Sequence, residues 1–514
     1  MSNINKNIFK DAIAVSGIGI LTQIIGFMVP MLIAMKFGVN IFTDAYYLAI
    51  AIPVLFVQII VGGCIRLVFI PVFIDEQVRD HNSRDDIVGG FVMLLLGFSV
   101  ILMLLVSILI KIGMFSFVAD LETEQLAASF TLYLLPLIPL SLLSNLYMAV
   151  YQAQQKFARA AYTRMIRLTV EVIAIVLLVE KIGIYSIIIG QLIGQTLELL
   201  TMGWLVKHYI GISLTPKFII PEGIQKILKL SGFAFGGFAV VSMIPFCARM
   251  ISSMLPEGNV TIMGYAQKLA LIPNLIISGS IGTVLTSYWA NELANKRPKI
   301  IKESLTRVIS GIFMLIVPIA IGLYVLRLPI VELLFERGEF DVMNSLATSI
   351  IFSIFVIGAI PTYLHMVIVR ILHVQKAMRI LFWISAAGVS VNIILMYFLG
   401  ISLNFGLYGI AWAMSIGTTF TMLITAASVE HLYNIFEFKK ILFQALKVVV
   451  STIIMVVCVN FFMMNLVDPE TFGLFTFLIC ASIFGALIYG AILILLKHSE
   501  LIKMIKLLKT KFIR

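Results

Sequence analysis

The sequence predicts an all-α, polytopic membrane protein of about fourteen transmembrane helices, built as two six-helix lobes plus two C-terminal helices. Three observations predict it. Of 514 residues, 61% are hydrophobic and 12% charged, and the mean hydropathy is +1.08, so there are too few polar residues to cover a soluble core of this size. The apolar residues gather in runs of about twenty, the length that crosses ~30 Å of hydrocarbon at ~1.5 Å per residue. Two pairs of stretches also echo one another about six spans apart.

The runs lie near 11–35, 45–74, 88–112, 127–151, 161–180, 183–206, 228–255, 262–290, 305–326, 343–372, 379–399, 405–429, 441–465 and 472–496. The loops between them are short and leave no room for a soluble domain. The first residues, MSNINKNIFKDAIAVSGIGILTQ, lack a small-residue cleavage site and run straight into a full-length span, so they read as the first helix rather than a signal peptide.

Lys and Arg alternate between loops. One set of loops holds Arg79 and Arg84, Lys156 and Arg159, Lys207 to Lys229, Lys296 to Lys302, Lys376 and Arg379, and Lys439 and Lys440; the tail adds Lys497 to Arg514. The opposite set is poor, with Lys36, Lys111, Lys181, Arg327 and Arg337 its main members. This positive-inside pattern places both termini in the cytoplasm and accounts for the net charge of +11 without a nucleic-acid partner.

In the clearer echo, GIYSIIIGQLIGQTLELL (183–200) aligns without a gap with GLYGIAWAMSIGTTFTML (406–423), matching Gly183/Gly406, Tyr185/Tyr408, Gly194/Gly417 and Thr196/Thr419. A weaker one sets AIPVLFVQIIVG (51–62) against LIPNLIISGSIG (271–282). An even number of intervening spans keeps the copies in the same orientation, so the repeats are parallel. The lobes are therefore expected at 1–210 and 225–432, followed by two spans over 440–497 and a basic cytoplasmic tail over 498–514.

The second span carries more polar and helix-breaking residues than an anchor needs: Asp44 at its mouth, Gln58 and Arg66 inside, Pro53 and Pro71, and Gly62-Gly63. A membrane-depth arginine costs a few kcal/mol. Arg66 either faces protein or water or snorkels to the headgroups. Other charges in spans are Lys268 in the eighth, Arg249 in the seventh, His365 and Arg370 in the tenth, Glu198 in the sixth, and Arg164, Arg167 and Glu171 in the fifth. Arg167 and Glu171 are spaced i,i+4, which a local ion pair explains. Lys268, Arg249 and Arg66 make the interior cationic on balance, which suits an anionic substrate such as a phosphate or pyrophosphate. Glu198 and Glu171 are the candidates for coupling to a monovalent ion or the membrane potential.

Cys64, Cys247, Cys458 and Cys480 all lie in apolar spans, with neither disulfide nor metal spacing. No phosphate-binding G-x-x-x-x-G-K-[ST], zinc motif or nucleophile elbow occurs, so no cofactor, metal or enzymatic chemistry is expected. The acidic group Glu332, Glu336, Glu339 and Asp341 reads as a solvated loop.

Several stretches resemble the MurJ/MviN family of lipid II flippases, within the multidrug/oligosaccharidyl-lipid/polysaccharide (MOP) exporter superfamily. They are FGVNIFTDAYYLAIAIP, the following GGCIRLVFIPVF, GYAQKLALIPNLIISGSIGTVLTSYWANELA, LLFERGEFD and GIYSIIIGQLIGQTLELL, in family order over roughly the first 430 residues. The resemblance implies a cationic cavity for a polyprenyl-pyrophosphate-linked sugar, with arginines on the first, second and eighth spans. Its aspartate falls on Asp44 and its eighth-span arginine on Lys268; its first-span arginines fall on Gln23 and Val29, and its second-span arginine on Val57 or Gln58. It implies a monomeric flippase of the bacterial inner membrane, whose partners are membrane lipids and the lipid-linked saccharide, working by alternating access in peptidoglycan synthesis. Substrate cavity residues are then Lys268, Asp44, Arg66, Arg249, Gln23 and Gln58. The rivals are a capsule or exopolysaccharide flippase, a cation-coupled drug exporter of the same superfamily, and a glycosyltransferase using the same lipid.

Overall fold

A computed structural model describes residues 3–79, 83–154, 157–218, 221–273, 281–465 and 473–512. The regular structure among them is all helix. In chain order it comprises α1 (Asn3–Phe37), α2 (Ile41–Arg79), α3 (Ser83–Lys111), α4 (Leu121–Leu134), α5 (Leu137–Ala153), α6 (Phe157–Ile182), α7 (Tyr185–Leu205), α8 (Glu222–Ser252) and α9 (Asn259–Leu269). There follow α10 (Ile281–Ala294), α11 (Pro298–Val325), α12 (Arg327–Phe335), α13 (Val342–Val374), α14 (Met378–Tyr397), α15 (Gly406–Tyr433), α16 (Phe438–Asn465), α17 (Leu474–Leu495) and α18 (Ser499–Phe512).

Ten of the described helices are long and apolar enough to cross a membrane, or eleven when α4 and α5, bent by 42°, count as one broken span. The remaining expected spans are α6 and α7, whose interiors carry Arg164, Arg167, Glu171 and Glu198, and the stretch 262–290, of which 274–280 lie outside the described residues. Large apolar side chains such as Val100, Ile101, Leu104 and Ile108 on α3 are exposed, as a lipid-facing surface requires. The chain is a multi-span membrane protein.

Packing divides it into two compact units: Met1–Gly264 with Arg337–Phe340, and Tyr265–Glu336 with Asp341–Arg514. This is a division by contact. The lobes expected at 1–210 and 225–432 are a division by sequence echo, and the two do not coincide.

In the first unit, Asn40 starts α2 with a reciprocal cap: its Oδ1 accepts from Phe42 N–H (3.0 Å) and Thr43 N–H (3.1 Å), while its own N–H donates to Thr43 Oγ1 at 3.0 Å. Residues Val61–Phe69 of α2 wind as a π-helix, and a Cβ on Gly62 would enter the Phe238 ring of α8. Stacked Phe69, Phe73 and Phe91 fill the core beside it. The core of the second unit is built from α11, α13 and neighbouring helices around Trp289, Leu305, Ile316, Val367 and Leu372.

The sequence echo has a structural counterpart. Gly183 and Gly406 both adopt left-handed backbone (φ 55° and 57°), and each stands at the start of its echo helix, α7 or α15. Eleven residues on, each copy has a glycine at a close helix crossing. A Cβ on Gly194 would lie 2.7 Å from the Arg167 carbonyl oxygen, and one on Gly417 would meet the Asn392 amide.

Candidate functional site

Two groups of polar residues in the first unit take in charges singled out in the spans. One lies at the N-terminal end of α2. Here α9 begins with backbone N–H groups that have no helical partner, and the buried Asp44 carboxylate supplies the acceptors. Its Oδ2 accepts from Gly258 N–H at 2.7 Å; its Oδ1 accepts from Thr261 N–H at 2.8 Å and from Thr261 Oγ1 at 2.5 Å. An anion at a helix N-terminus also meets the positive end of the helix dipole. Glu257 Oε1 accepts in turn from Ile41 N–H at 3.2 Å.

Glycine makes the approach possible. Gly258 has φ +91°, and a Cβ on it would lie 2.6 Å from Val39 Cγ1. Gly38 and Gly338 have φ +65° and +63°, and their Cβ atoms would strike the Glu339 and Met35 carbonyls. Glu339 N–H donates to Met35 O at 3.0 Å. The turns at 38 and 338 are thus locked backbone to backbone, while the 258 turn packs on the Val39 side chain and is clasped by Asp44. Of the acidic group expected as a solvated loop, Glu339 and Asp341 are exposed, whereas Glu332 lies in α12 and Glu336 Oε2 is buried; the backbone of Glu339 docks on Met35. Asp341 caps α13 by accepting from Asn344 N–H at 2.8 Å.

Arg249, near the end of α8, lies within electrostatic reach of Tyr46 and Tyr47. Its Nε is buried with no acceptor among the described residues.

The second group joins α6 and α7. Arg167 Nε lies 3.0 Å from Glu198 Oε2 and Nη1 lies 3.7 Å from Glu171 Oε2, so the expected i,i+4 pair is present and Glu198 joins it. Gln195 Nε2 donates to Glu198 Oε2 (3.2 Å) and to Ser144 Oγ (3.1 Å), and Gln191 Nε2 donates to Tyr46 Oη at 2.5 Å. Gly194 and Gly190, whose Cβ atoms would lie 2.7 Å and 3.2 Å from the Arg167 and Glu171 carbonyl oxygens, let α7 come close enough for Glu198 to reach across.

The cations and polar residues expected in one cavity fall in several places. Arg249 lies near the Asp44 end of α2, whereas Arg66 is exposed on the π-helical segment, 22 residues or about 33 Å of helix beyond Asp44. Arg66 is within electrostatic reach of Arg164. Arg66 and Asp44 stand well apart along α2. Gln23 and Gln58 are exposed on α1 and α2. Lys268 is exposed in the last turn of α9 and belongs to the second unit. Asp44 meets hydrogen-bond donors rather than a cation in this structure. Among the described residues no three His, Cys, Asp or Glu side chains gather as metal ligands.

The family model "Lipid II flippase MurJ" matches residues 33–482. The chain belongs to the lipid II flippase MurJ family. A relative from Buchnera aphidicola, "Probable lipid II flippase MurJ", is 27% identical over 367 residues, covering 69% of this chain and 71% of its own. "Lipid II flippase MurJ" of Burkholderia cenocepacia is 23% identical over 354 residues, 65% of this chain and 67% of its own. Among solved structures, "Lipid II flippase MurJ, inward closed conformation" superposes with a TM-score of 0.80 at 24% identity, covering 93% of this chain and 98% of that one. An inward-facing multidrug-resistance MATE transporter of the MOP superfamily gives 0.64 at 14% identity, covering 79% and 98%. These likenesses show the fold alone. Of the MurJ-like stretches, FGVNIFTDAYY supplies the clasp residue Asp44, and LLFERGEFD supplies the Gly338 turn that docks on Met35. The partners of Asp44, Gly258 and Thr261, escaped sequence reasoning, although the PEGN turn before α9 marked a helix start.

Proposed function

We propose that this chain flips a polyprenyl-pyrophosphate-linked saccharide of the lipid II type across the bacterial cytoplasmic membrane by alternating access, as a monomer with both termini cytoplasmic. The family match over residues 33–482 carries this reading. Arg249 supports it: a buried guanidinium nitrogen without an acceptor suits an anion that comes and goes. Lys268 stands where the family resemblance puts an arginine and supplies a second positive charge. The Asp44 clasp on Gly258 and Thr261 closes the turn at one end of the path and is released when the substrate leaves. No bond is made or broken, and the drive comes from an ion gradient or the membrane potential.

The test is complementation of a strain depleted of its own lipid II flippase. Growth that returns with the wild-type chain and is lost with Lys268→Ala or Arg249→Ala supports the reading. A protein present in the membrane that restores nothing refutes lipid II as the substrate. A second reading, a capsule or exopolysaccharide unit on the same lipid carrier, is favoured by Gln23, Val29 and Gln58, which stand where the family resemblance expects arginines. A cation-coupled drug exporter would rest on Glu171 and Glu198 alone.

A further inference from the structure

We propose that α18 docks on the bilayer surface as an amphipathic helix whose lysines bind anionic phospholipid headgroups. Docking of this kind needs only the multi-span fold, whatever the substrate.

The sequence of α18 sets the pattern. Leu501, Met504, Ile505, Leu508 and Phe512 recur at the three- and four-residue spacing of one helical face, bordered by Ile502 and Leu507. Lys503 and Lys506 fall on the opposite face and Lys509 and Lys511 at the margins, the register of a helix that lies in a membrane interface. From Lys497 to Arg514 the chain carries six cations and one acid, Glu500, which Lys503 holds at 2.8 Å. A purely solvated tail has no use for the apolar face.

The fold fixes the depth at which α18 begins. Leu487, Ile494 and Leu495 of α17 are exposed, so lipid reaches the end of that helix. Lys497, in left-handed backbone (φ 50°), breaks the helix, and α18 starts at Ser499; the chain from Leu495 to Ser499 spans at most about 14 Å. On the neighbouring α16, Lys447 Nζ donates to the Lys497 carbonyl at 3.0 Å, and Gln444 Oε1 accepts from Ser499 N–H at 3.3 Å. Gln444 stands among the exposed Leu442, Phe443 and Leu446, one turn from the exposed Lys439 and Lys440. That change from apolar to cationic surface marks the boundary between hydrocarbon and headgroups.

The first turn of α18 already has a partner, and the rest of its apolar face does not end there. Leu501 packs against the core of the second unit, whereas Met504, on the same face, is half exposed. A soluble partner would have to reach a helix tethered at the bilayer, where headgroups already stand. Anionic headgroups also match its charge. Lysine stems are long enough for the ammonium groups to reach phosphates while the apolar face enters the acyl boundary.

The experiment follows amide hydrogen exchange over Lys503–Phe512 in the full chain, held in nanodiscs of phosphatidylglycerol with phosphatidylethanolamine or of phosphatidylcholine alone. A lysine near an anionic surface favours docking by about fivefold, so exchange is expected to be slower by about tenfold or more in the anionic discs. High salt is expected to cancel the difference. Lys506→Gln, Lys509→Gln and Lys511→Gln together are expected to exchange in anionic discs as wild type does in phosphatidylcholine, whereas Arg at the same three positions keeps the protection. Leu501, Gln444 and Lys447 are untouched, so the anchor of the helix is the same in every sample. Equal rates in the two lipids overturn the proposal: fast in both, the face is open to a soluble partner; slow in both, it packs on the chain itself. Protection that survives the Gln replacements overturns it as well. A chain that shows the lipid dependence but rescues no flippase-depleted strain would refute lipid II as the substrate and leave the docking helix standing.

Discussion

The carboxylate of Asp44 holds Thr261, 217 positions further along the chain, by both its backbone N–H at 2.8 Å and its hydroxyl at 2.5 Å. A side chain on the second helix thereby serves as the N-terminal cap of another. Asp44→Asn keeps the size but turns one acceptor into an NH₂ that faces a donor. Buried hydrogen bonds to a charged acceptor contribute about 1.5–3 kcal/mol each, and an orphaned donor costs about 1–3 kcal/mol. Asp44→Asn is expected to lower the apparent Tm of the purified protein by several degrees, and Asp44→Ala by more. Intrinsic fluorescence or a thiol-reactive dye reads either change.

The glycine turns predict opposite effects for one chemical change. Gly338→Ala puts a Cβ into the Met35 carbonyl and forces a residue with a side chain into φ +63°. The conformation alone costs about 1–2 kcal/mol, before the clash. Gly311→Ala, inside α11 with nothing within 4 Å of its Cβ, is expected to stabilise by about 0.5–1 kcal/mol. Thermal melts of the two variants against wild type check both signs. Two losses of equal size would contradict the packing around Gly338.

How far the sequence could be read depended on whether a feature was local or distant. Apolar run length, the loop charges and the GIY/GLY echo are local, and they described the helices and the equivalence of Gly194 with Gly417. The Arg167–Glu171 pair was legible because four residues on a helix share a face. Glu198 was not, since its approach depends on Gly190 and Gly194 bringing a second helix in. The backbone contact of the loop near 336–341 was out of reach for the same reason: nothing near Gly338 in sequence announces Met35, some three hundred residues earlier. Asp44 stood out in the sequence as a charge at the mouth of a span, but its partners Gly258 and Thr261 lie beyond the reach of pattern.

His498 predicts a pH effect. It lies just before α18, fully buried, with neither ring nitrogen bonded among the described residues. Burial, and then the Lys447 ammonium, push its pKa below the usual 6.5. The unfolded chain therefore binds this proton at a pH where the folded chain does not. Stability is undiminished above the unfolded value and falls as pH drops from there toward the folded value. His498→Leu removes that loss and two unsatisfied buried nitrogens. Its Tm is expected to exceed that of wild type, by a margin that widens as pH falls from neutral to mildly acidic. A constant margin would show that the ring titrates alike in both states.

Arg249 offers a prediction that separates binding from architecture. A guanidinium with a buried, unbonded Nε is a liability to the folded chain unless something repays it. If the liability is kept for an anion, removing it should help folding and harm transport. Arg249→Met retains the length and apolar stem of the side chain without the charge. It is expected to raise the apparent Tm and to fail in complementation, while Arg249→Lys keeps part of the activity because the charge remains without the fork. If Arg249→Met lowers the Tm instead, the side chain is a structural partner of Tyr46 and Tyr47, which lie within its electrostatic reach. Binding of the diphosphate would then have to be carried elsewhere, with Lys268 the next residue to test. Melting and growth rescue, measured on wild type and both variants, decide between these roles because each role moves the two readouts in a different combination.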